Sequence, residues 1–208
     1  MSLTGSEGLF AAVHQDGIND VVRAYFTSRP RYLNVGSSFF VPSTTVNATR
    51  IDAIDIGAGI HFLIELEIPR LDLHPDTFGF ALPPNQNQFS LEIKGKITLL
   101  CRKERRDDTG KVPGGQTITT ELGICSQGHI ERTGDFLRFV IDNVEIKDIS
   151  PDSLESIMEC IIGMVLNEAL SDLLVPYEAI FIQIGTLNPV GAPTIANDTL
   201  RARANFII

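Results

Sequence analysis

The sequence is short of basic residues, with 17 Lys and Arg against 26 Asp and Glu, which gives a formal net charge of −9. Nucleic-acid binding depends on Lys and Arg contacts to phosphate, so this balance argues against a nucleic-acid partner. The same deficit disfavours simple electrostatic attachment to an anionic membrane. We therefore expect no nucleic-acid partner. Transient contact with a membrane stays an open alternative.

Long apolar runs and paired cysteines are also missing. No uninterrupted apolar stretch is long enough to span a bilayer, and the N-terminal MSLTGSEG has neither the basic nor the apolar region of a secretory signal. Cys101, Cys125 and Cys160 are odd in number and far apart in mostly apolar stretches. That pattern favours buried, reduced thiols over a disulfide framework. We expect a cytoplasmic protein.

The common catalytic and cofactor motifs are absent as well: there is no GxSxG, no phosphate-binding glycine loop, no HExxH and no paired CxxC. The four histidines share no metal-ligand spacing, and His61 and His129 fall on outward faces of predicted strands. Cys125 lies one residue off the apolar set of its strand and has no predictable histidine partner, which argues against a nucleophile. We predict a non-enzymatic protein with no catalytic residue, metal site or cofactor.

What the sequence does contain is one long apolar helix, predicted between Ser150 and Leu174. Ser150 suits the N-cap, Pro151 suits the first helical position, and acidic residues occupy the first turn. Apolar residues recur at helical spacing over about half of the circumference, more than one flat contact requires. At 1.5 Å per residue the helix would be about 36 Å long. Its opposite side carries Glu159, Gly163, Asn167 and Ser171.

Alternating residues in the middle of the chain predict antiparallel strands with one buried face. The longest runs from Phe89 to Cys101, about 40 Å at 3.3 Å per residue, which roughly matches the helix. Further strands are predicted at Ile60–Ile68, Ile118–Ile130, Phe136–Lys147, Tyr177–Leu187 and Leu200–Ile208. A charged hairpin connection is predicted at residues 104–115.

The N-terminal region predicts two short helices between Ser6 and Thr27, separated at Asp16-Gly17 with Asp16 as the N-cap of the second. Their apolar positions are Leu9, Phe10 and Val13 in the first helix, and Ile18, Val21, Val22, Tyr25 and Phe26 in the second.

This order of elements resembles the tubular lipid-binding (TULIP) superfamily. The likeness is carried by Asp16–Val22, by Phe89–Cys101, and by Leu154–Leu174 followed by Pro176. It implies a single domain over residues 1–208 with an α+β fold. In that fold a long, highly curved antiparallel sheet wraps around a long late helix, and short helices precede it. Because no secretory signal peptide is visible, the sequence resembles the intracellular or bacterial OrfX-type members more than the secreted ones.

The resemblance implies non-enzymatic binding of a lipid, fatty acid or other long hydrophobic ligand in an elongated groove between helix and sheet. A groove of this kind would bind an acyl chain with about 0.8 kcal/mol per buried CH₂. The same side chains would also suit an ordinary dry core. The expected ligand-binding residues are Leu154, Ile157, Met158, Ile161, Met164 and Val165 on the helix, and Phe62, Ile64, Leu66, Leu91, Ile93 and Ile97 on the sheet.

Two alternatives stay open. One is a structural or interaction protein that buries the wide helix face, or an edge strand such as Leu200–Ile208, in a homo- or hetero-oligomer. The other is a helix-grip carrier, in which the long helix normally ends the chain, whereas here strand-like sequence follows it.

Overall fold

The computed structural model describes residues 8–51, 60–73, 88–101, 116–147, 152–176 and 187–206. Over these residues the chain has an α+β fold with two α-helices and a strongly curled mixed sheet. The helices are α1, Gln15–Ser28, and α2, Asp152–Ser171, and a 3-10 turn covers Pro30–Tyr32. The strands are β1 Leu9–His14, β2 Asn34–Gly36, β3 Thr49–Arg50, β4 Ile60–Leu66, β5 Arg70–Asp72, β6 Gln88–Cys101, β7 Gln116–Thr133, β8 Phe136–Lys147, β9 Val175–Pro176, β10 Leu187–Pro189, β11 Thr194–Ala196 and β12 Thr199–Phe206.

The main sheet has eight strands in the order β3-β2-β4-β6-β7-β8-β9, with β5 also paired to β6. Its pairings are antiparallel except for the parallel pair β2–β3, which makes the sheet mixed rather than purely antiparallel. The predicted strand Phe89–Cys101 is confirmed as β6, which pairs with β7 over 14 residue pairs. Its inward side chains Phe89, Leu91, Ile93 and Ile97 are buried, as the alternation predicts.

A β-bulge bends β8 where it pairs with β7. Gln127 pairs with Asn143 and Gly128 with Ile141, so Asp142 is the extra residue on β8. Only glycine fits at position 128, because an added Cβ would overlap the Val140 carbonyl oxygen and lie 2.7 Å from the Phe89 ring.

Helix α2 lies along the edge of β8, with polar side chains bound to the backbone of that strand. The Ile141 N–H donates to Asn167 Oδ1 at 3.0 Å, Asn167 Nδ2 donates back to the Ile141 carbonyl at 3.3 Å, and the Ile146 N–H donates to Glu159 Oε1 at 3.1 Å. The predicted wrapping of the sheet around this helix is not confirmed. The side of α2 predicted to face away from the core supplies the edge contacts, since its amide and carboxylate can satisfy backbone groups that lack a neighbouring strand.

The N-terminal prediction is wrong for its first helix, since residues 9–14 form β1. This strand pairs with β12 over six residue pairs, so its ladder is completed by a segment far away in sequence. Helix α1 then begins at Gln15, with His14 as the N-cap: the His14 ring accepts a hydrogen bond from the Asp16 N–H at 3.3 Å. Asp16 therefore lies in the first turn rather than at the cap.

Strand β12 confirms the predicted C-terminal strand but not its place at an edge. It pairs with β1 on one side and with β10 and β11 on the other. The predicted edge position of this strand is thus wrong, because its backbone groups are used within the chain, whereas oligomer formation itself stays a prediction.

Buried apolar side chains from both helices and both sheets form a single hydrophobic cluster. No helix in the described segments is both long and apolar enough to cross a membrane. The predicted N-cap at Ser150, the hairpin connection at 104–115 and all of the predicted strand Tyr177–Leu187 except its last residue lie outside the described residues.

Candidate apolar ligand site

An apolar cleft of about 170 Å³ opens beside the first half of α1. It lies between α1, strand β1, the start of β8, the chain just after α2, and strand β12. We call it the α1 cleft. Its lining residues are all apolar or glycine: Val13, Gly17, Ile18, Val21, Val22, Leu137, Phe139, Leu173, Val175 and Leu200.

Helical spacing places the α1 residues of the cleft on one side of the helix. Ile18 and Val22, one turn apart, are 7% and 1% exposed and form part of the floor. Gly17 is exposed and Val21 keeps 48% of its surface exposed, so these two residues mark the mouth. The cleft is therefore open to solvent on one side and continuous with the hydrophobic cluster on the other.

The wall opposite α1 comes from parts of the chain that meet only in the folded state. Leu137 and Phe139 are alternate, buried residues of β8, and Leu137 pairs with Val175 of β9. Leu200 of β12 completes this wall and is 3% exposed.

A second face of α1 holds the helix in place through hydrogen bonds to the chain around β5. Asn19 Nδ2 donates to the Leu71 carbonyl and the Leu71 N–H donates to Asn19 Oδ1, both at 2.8 Å. One turn earlier, Gln15 Oε1 accepts from the Leu73 N–H at 3.1 Å. Because Gln15 and Asn19 share a helix face, the apolar face of α1 is held toward the cleft.

The far end of α1 is joined to the last turn of α2 by a buried tyrosine. The Tyr25 hydroxyl donates to the Ala169 carbonyl at 2.6 Å, which satisfies one of the carbonyls that a helix end leaves without an intrahelical partner. Burial, followed by the neighbouring Tyr32, raises the pKa of Tyr25 to about 12. The hydroxyl therefore stays protonated and able to donate at any ordinary pH.

Two arginines stack on this tyrosine pair. The rings of Tyr25 and Tyr32 are stacked with centroids 6.3 Å apart, Arg29 Cζ lies 4.4 Å from the Tyr25 centroid, and Arg31 Cζ lies 4.7 Å from that of Tyr32. Tyr32 also donates to Asp172 Oδ2 at 2.5 Å and accepts from Arg31 at 2.7 Å.

None of the twelve predicted ligand-binding residues lines the α1 cleft. Nine of them are buried in the hydrophobic cluster, namely Phe62, Ile64, Leu66, Leu91, Ile93, Ile97, Met158, Ile161 and Val165. Ile157 is partly buried against the cluster, Met164 is 51% exposed, and the side chain of Leu154 is outside the described set. Their role in ligand binding stays a prediction.

A larger groove of about 760 Å³ crosses β4, β6, β7 and β8 but has a different chemistry. Its walls are mainly three glutamates and three lysines, and Lys96 already pairs with Glu65 at 3.0 Å. Leu66, one of the predicted ligand-binding residues, and Leu122 also line this groove, but six of its ten lining residues are charged. The α1 cleft, which has no charged lining residue, is therefore the better candidate for an uncharged ligand.

The described residues offer little for catalysis. Among them no three His, Cys, Asp or Glu side chains lie close enough to hold a metal ion. Burial raises the pKa of the Cys125 thiol, which makes it a poorer nucleophile. Cys160 is exposed, contrary to the prediction of buried thiols.

Comparison with known proteins gives a distant likeness. No family model and no curated protein matches this chain. Among solved structures, it is similar to the crystal structure of lipopolysaccharide binding protein, with a TM-score of 0.46 and 13% sequence identity. The match covers 96% of this chain and 50% of the other, so this chain spans about half the length of that protein. A likeness at this level assigns no function.

Sequence reasoning identified Ile18, Val21 and Val22 as the apolar face of a helix but not as part of a site. Their partners Leu137, Phe139 and Leu200 appeared only as members of alternating strands. The sequence feature that could have indicated the site is Val21, an apolar residue that widens the apolar face of α1 but is not buried in the core.

Proposed function

We propose that this protein is a non-enzymatic binder of an apolar group, which it takes up in the α1 cleft. The observation that carries the proposal is a cleft lined entirely by apolar residues and glycine, with a half-exposed valine at its mouth. A purely apolar lining supplies no hydrogen bond, so the bound group must itself be uncharged and apolar.

The size of the cleft limits what it holds. An engineered apolar cavity of about 150 Å³ takes up benzene, so about 170 Å³ corresponds to a group of that size. Burying roughly six carbon atoms at about 0.8 kcal/mol each contributes about 5 kcal/mol, which corresponds to a Kd between 0.1 and 1 mM. Tighter binding requires a longer ligand that reaches beyond the cleft.

A longer ligand would have to enter the hydrophobic cluster behind the cleft. Val22, Leu137 and Phe139 belong to the same cluster as Met158, Ile161, Phe62 and Ile64. The proposal is therefore that the cleft is the entrance, and that the predicted residues of α2 and the sheet line the path of an acyl chain once it displaces packed side chains. An acyl chain along this path would lie between helix and sheet, as in the TULIP fold. The proposal is supported by the single hydrophobic cluster that contains both the cleft residues and the predicted residues.

Substitution of Gly17 tests the site because it adds volume at the mouth without touching the packed core. A Cβ at this position would meet only Val13 Cγ1 at 3.5 Å, an ordinary contact. Gly17→Leu should fill the cleft, and Gly17→Ala is the matched control that leaves most of the space. Both changes should stabilise α1, since glycine costs a helix about 1 kcal/mol relative to alanine.

The measurement is a titration with benzene and with octanol, followed through the methyl NMR signals of Val21, Val22 and Leu200. Saturable shifts in the wild type and in Gly17→Ala, lost in Gly17→Leu, would support the proposal. Saturable shifts that persist in Gly17→Leu would place the ligand elsewhere. Absence of saturable shifts in the wild type would contradict the proposed function.

The alternative of burying the helix face in an oligomer has one supporting observation. Met164, on the outer side of α2, keeps 51% of its surface exposed. Most of the remaining described apolar arc of α2 is buried within the chain, including Met158, Ile161 and Val165. Sedimentation of wild type and Met164→Glu would decide between a monomer and a dimer formed through this face.

A further inference from the structure

Strand β1 forms one edge of the smaller sheet. In this four-stranded sheet β12 lies between β1 on one side and β10 and β11 on the other. The pairing of β1 with β12 runs from Leu9 to His14 without a register shift. The edge position predicted for the C-terminal strand thus belongs to β1, because β12 has neighbours on both sides.

A hydrogen bond at the end of β1 shows which of its backbone groups point away from β12. The Gln15 N–H, directly after β1, donates at 2.9 Å to the carbonyl of Asp198, directly before β12. Since backbone groups alternate in direction along a strand, the odd-numbered residues of β1 bond to β12. The N–H and C=O groups of Phe10 and Ala12 therefore point outward, and within the described segments no backbone hydrogen bond engages them.

The sequence of β1, LFAAVH, carries none of the features that protect an edge strand. It has no proline, no Lys, Arg, Asp or Glu, and no bulge in its pairing with β12. The side chains of Ala12 and His14 are exposed. An open edge of six residues with these properties is a template to which another strand can pair.

We propose that β1 pairs with β1 of a second copy of this protein, in antiparallel orientation about a two-fold axis at Ala11. In this register Phe10 of each copy lies opposite Ala12 of the other, as a pair that exchanges two N–H···O=C bonds. The two such pairs give four hydrogen bonds, which use the outward backbone groups of both residues in both copies.

The side chains of β1 fit this register. On the outer face the Phe10 ring lies beside the small side chain of Ala12, and at the axis two Ala11 residues meet, where the Cα atoms of such a pair are about 4.5 Å apart. On the inner face Leu9 lies opposite Val13, and both are partly buried against the hydrophobic cluster of their own copy. Pairing therefore covers apolar surface that the edge leaves partly exposed.

Charge favours a second copy over a charged segment of another protein, because β1 offers no charged side chain to pair with one. The net charge of −9 opposes the approach of two copies, and salt screens this repulsion. The contact is small, so we expect a weak dimer, with a Kd on the order of 0.1 mM that falls as salt is added.

Sedimentation velocity of the full chain, from about 10 µM to about 1 mM, measures this Kd. Ala12→Pro removes an N–H that β12 does not use, so the fold is retained while the dimer loses two of its four hydrogen bonds. The Kd should rise at least about tenfold. Ala12→Val, which keeps the N–H, is the matched control and should keep the wild-type Kd. Met164→Glu should keep it too, because Met164 lies on α2.

Amide hydrogen exchange tests the same contact without a substitution. The N–H groups of Phe10 and Ala12 should exchange quickly in dilute protein and slowly in concentrated protein. The N–H groups of Ala11 and Val13, which bond to β12, should exchange slowly at both concentrations.

Each other outcome contradicts the proposal. A monomer at all concentrations would leave the edge to a different protein. A dimer that survives Ala12→Pro, or that Met164→Glu abolishes, would place the contact elsewhere. Slow exchange of Phe10 and Ala12 at every dilution would show that a segment of the same chain occupies the edge. Thermal unfolding checks that each variant folds, and if Ala12→Pro does not, the exchange of the wild type decides.

Discussion

Replacing Tyr25 by phenylalanine should weaken the joint between α1 and α2 while leaving both helices in place. The change removes one oxygen atom and keeps the ring that packs against Phe26 and stacks on Tyr32. What is lost is the hydrogen bond of 2.6 Å to the Ala169 carbonyl, which is then left without a donor in a buried position.

The size of the effect follows from burial. Tyr25 is 7% exposed and Ala169 is 0% exposed, so water cannot easily replace the hydroxyl. Leaving a buried acceptor unsatisfied costs about 1–3 kcal/mol, and we expect about 2 kcal/mol for Tyr25→Phe. For a chain of this length, that loss lowers Tm by roughly 4–8 °C.

Burial of the Tyr25 hydroxyl, which raises its pKa, predicts a pH dependence of stability in alkali. The pKa of Tyr25 is raised from 10.0 to about 12, so the unfolded chain loses this proton first. The stabilisation is complete below pH 10 and is lost as the pH rises toward about 12, by up to about 1.4 kcal/mol per pH unit. The free-energy gap between wild type and Tyr25→Phe should therefore shrink across this range.

Urea unfolding at neutral and alkaline pH measures the difference in unfolding free energy between wild type and Tyr25→Phe. Tyrosinate absorbance follows the ionisation of the tyrosines, and the signal is simple because the chain has three tyrosines and no tryptophan. Tyr32→Phe is the control, because its partner Asp172 has a half-exposed side chain that water can solvate. It should cost less than Tyr25→Phe, because water can solvate the Asp172 carboxylate although Tyr32 itself is buried. A gap that does not change with pH, or equal losses in both variants, would refute the reasoning.

Three further outcomes follow from packing and burial. In urea unfolding, Gly128→Ala should destabilise the protein by about 3 kcal/mol or more, because the added Cβ would overlap a carbonyl oxygen. The control Gly123→Ala should be neutral in the same assay, because no atom lies nearer than 4.0 Å to the added Cβ. Asn19→Leu should cost about 2 kcal/mol by the same assay and speed amide exchange in β5, since it removes two hydrogen bonds at 2.8 Å. Cys160 should react with a thiol reagent well before Cys125, whose pKa is raised by burial; peptide mapping resolves the two, and the reverse order would contradict the assigned burial.

The elements that sequence predicted well are those whose pattern is complete within one segment. The run from Phe89 alternates without a break as far as Leu99, and the strand, Gln88–Cys101, has the predicted bounds to within one residue. The helix predicted from Ser150 to Leu174 is observed over Asp152–Ser171. Long periodic segments carry their own signal because one face must be buried.

The failures come from partners that are distant in sequence. Leu9, Phe10 and Val13 fit either a helix or a strand, and β12, almost the whole chain away, decides in favour of a strand. The α1 cleft depends on Leu137 and Leu200 meeting Val21, and no local pattern records that meeting. Asn167 and Glu159 lie on the side of α2 that was predicted to face away from the core. Their residue types do not indicate that they bind the backbone of a strand edge.

The position of α2 along β8 has a consequence for solubility. An exposed strand edge presents unpaired N–H and C=O groups that another chain can add to, which is a route to aggregation. By binding Ile141 and Ile146 through side chains, Asn167 and Glu159 cover part of the β8 edge, which within the described segments pairs with β9 at Phe136 and Leu137. The helix thus shields this part of the sheet, and its detachment would expose backbone groups of β8 to which a strand of another chain could pair.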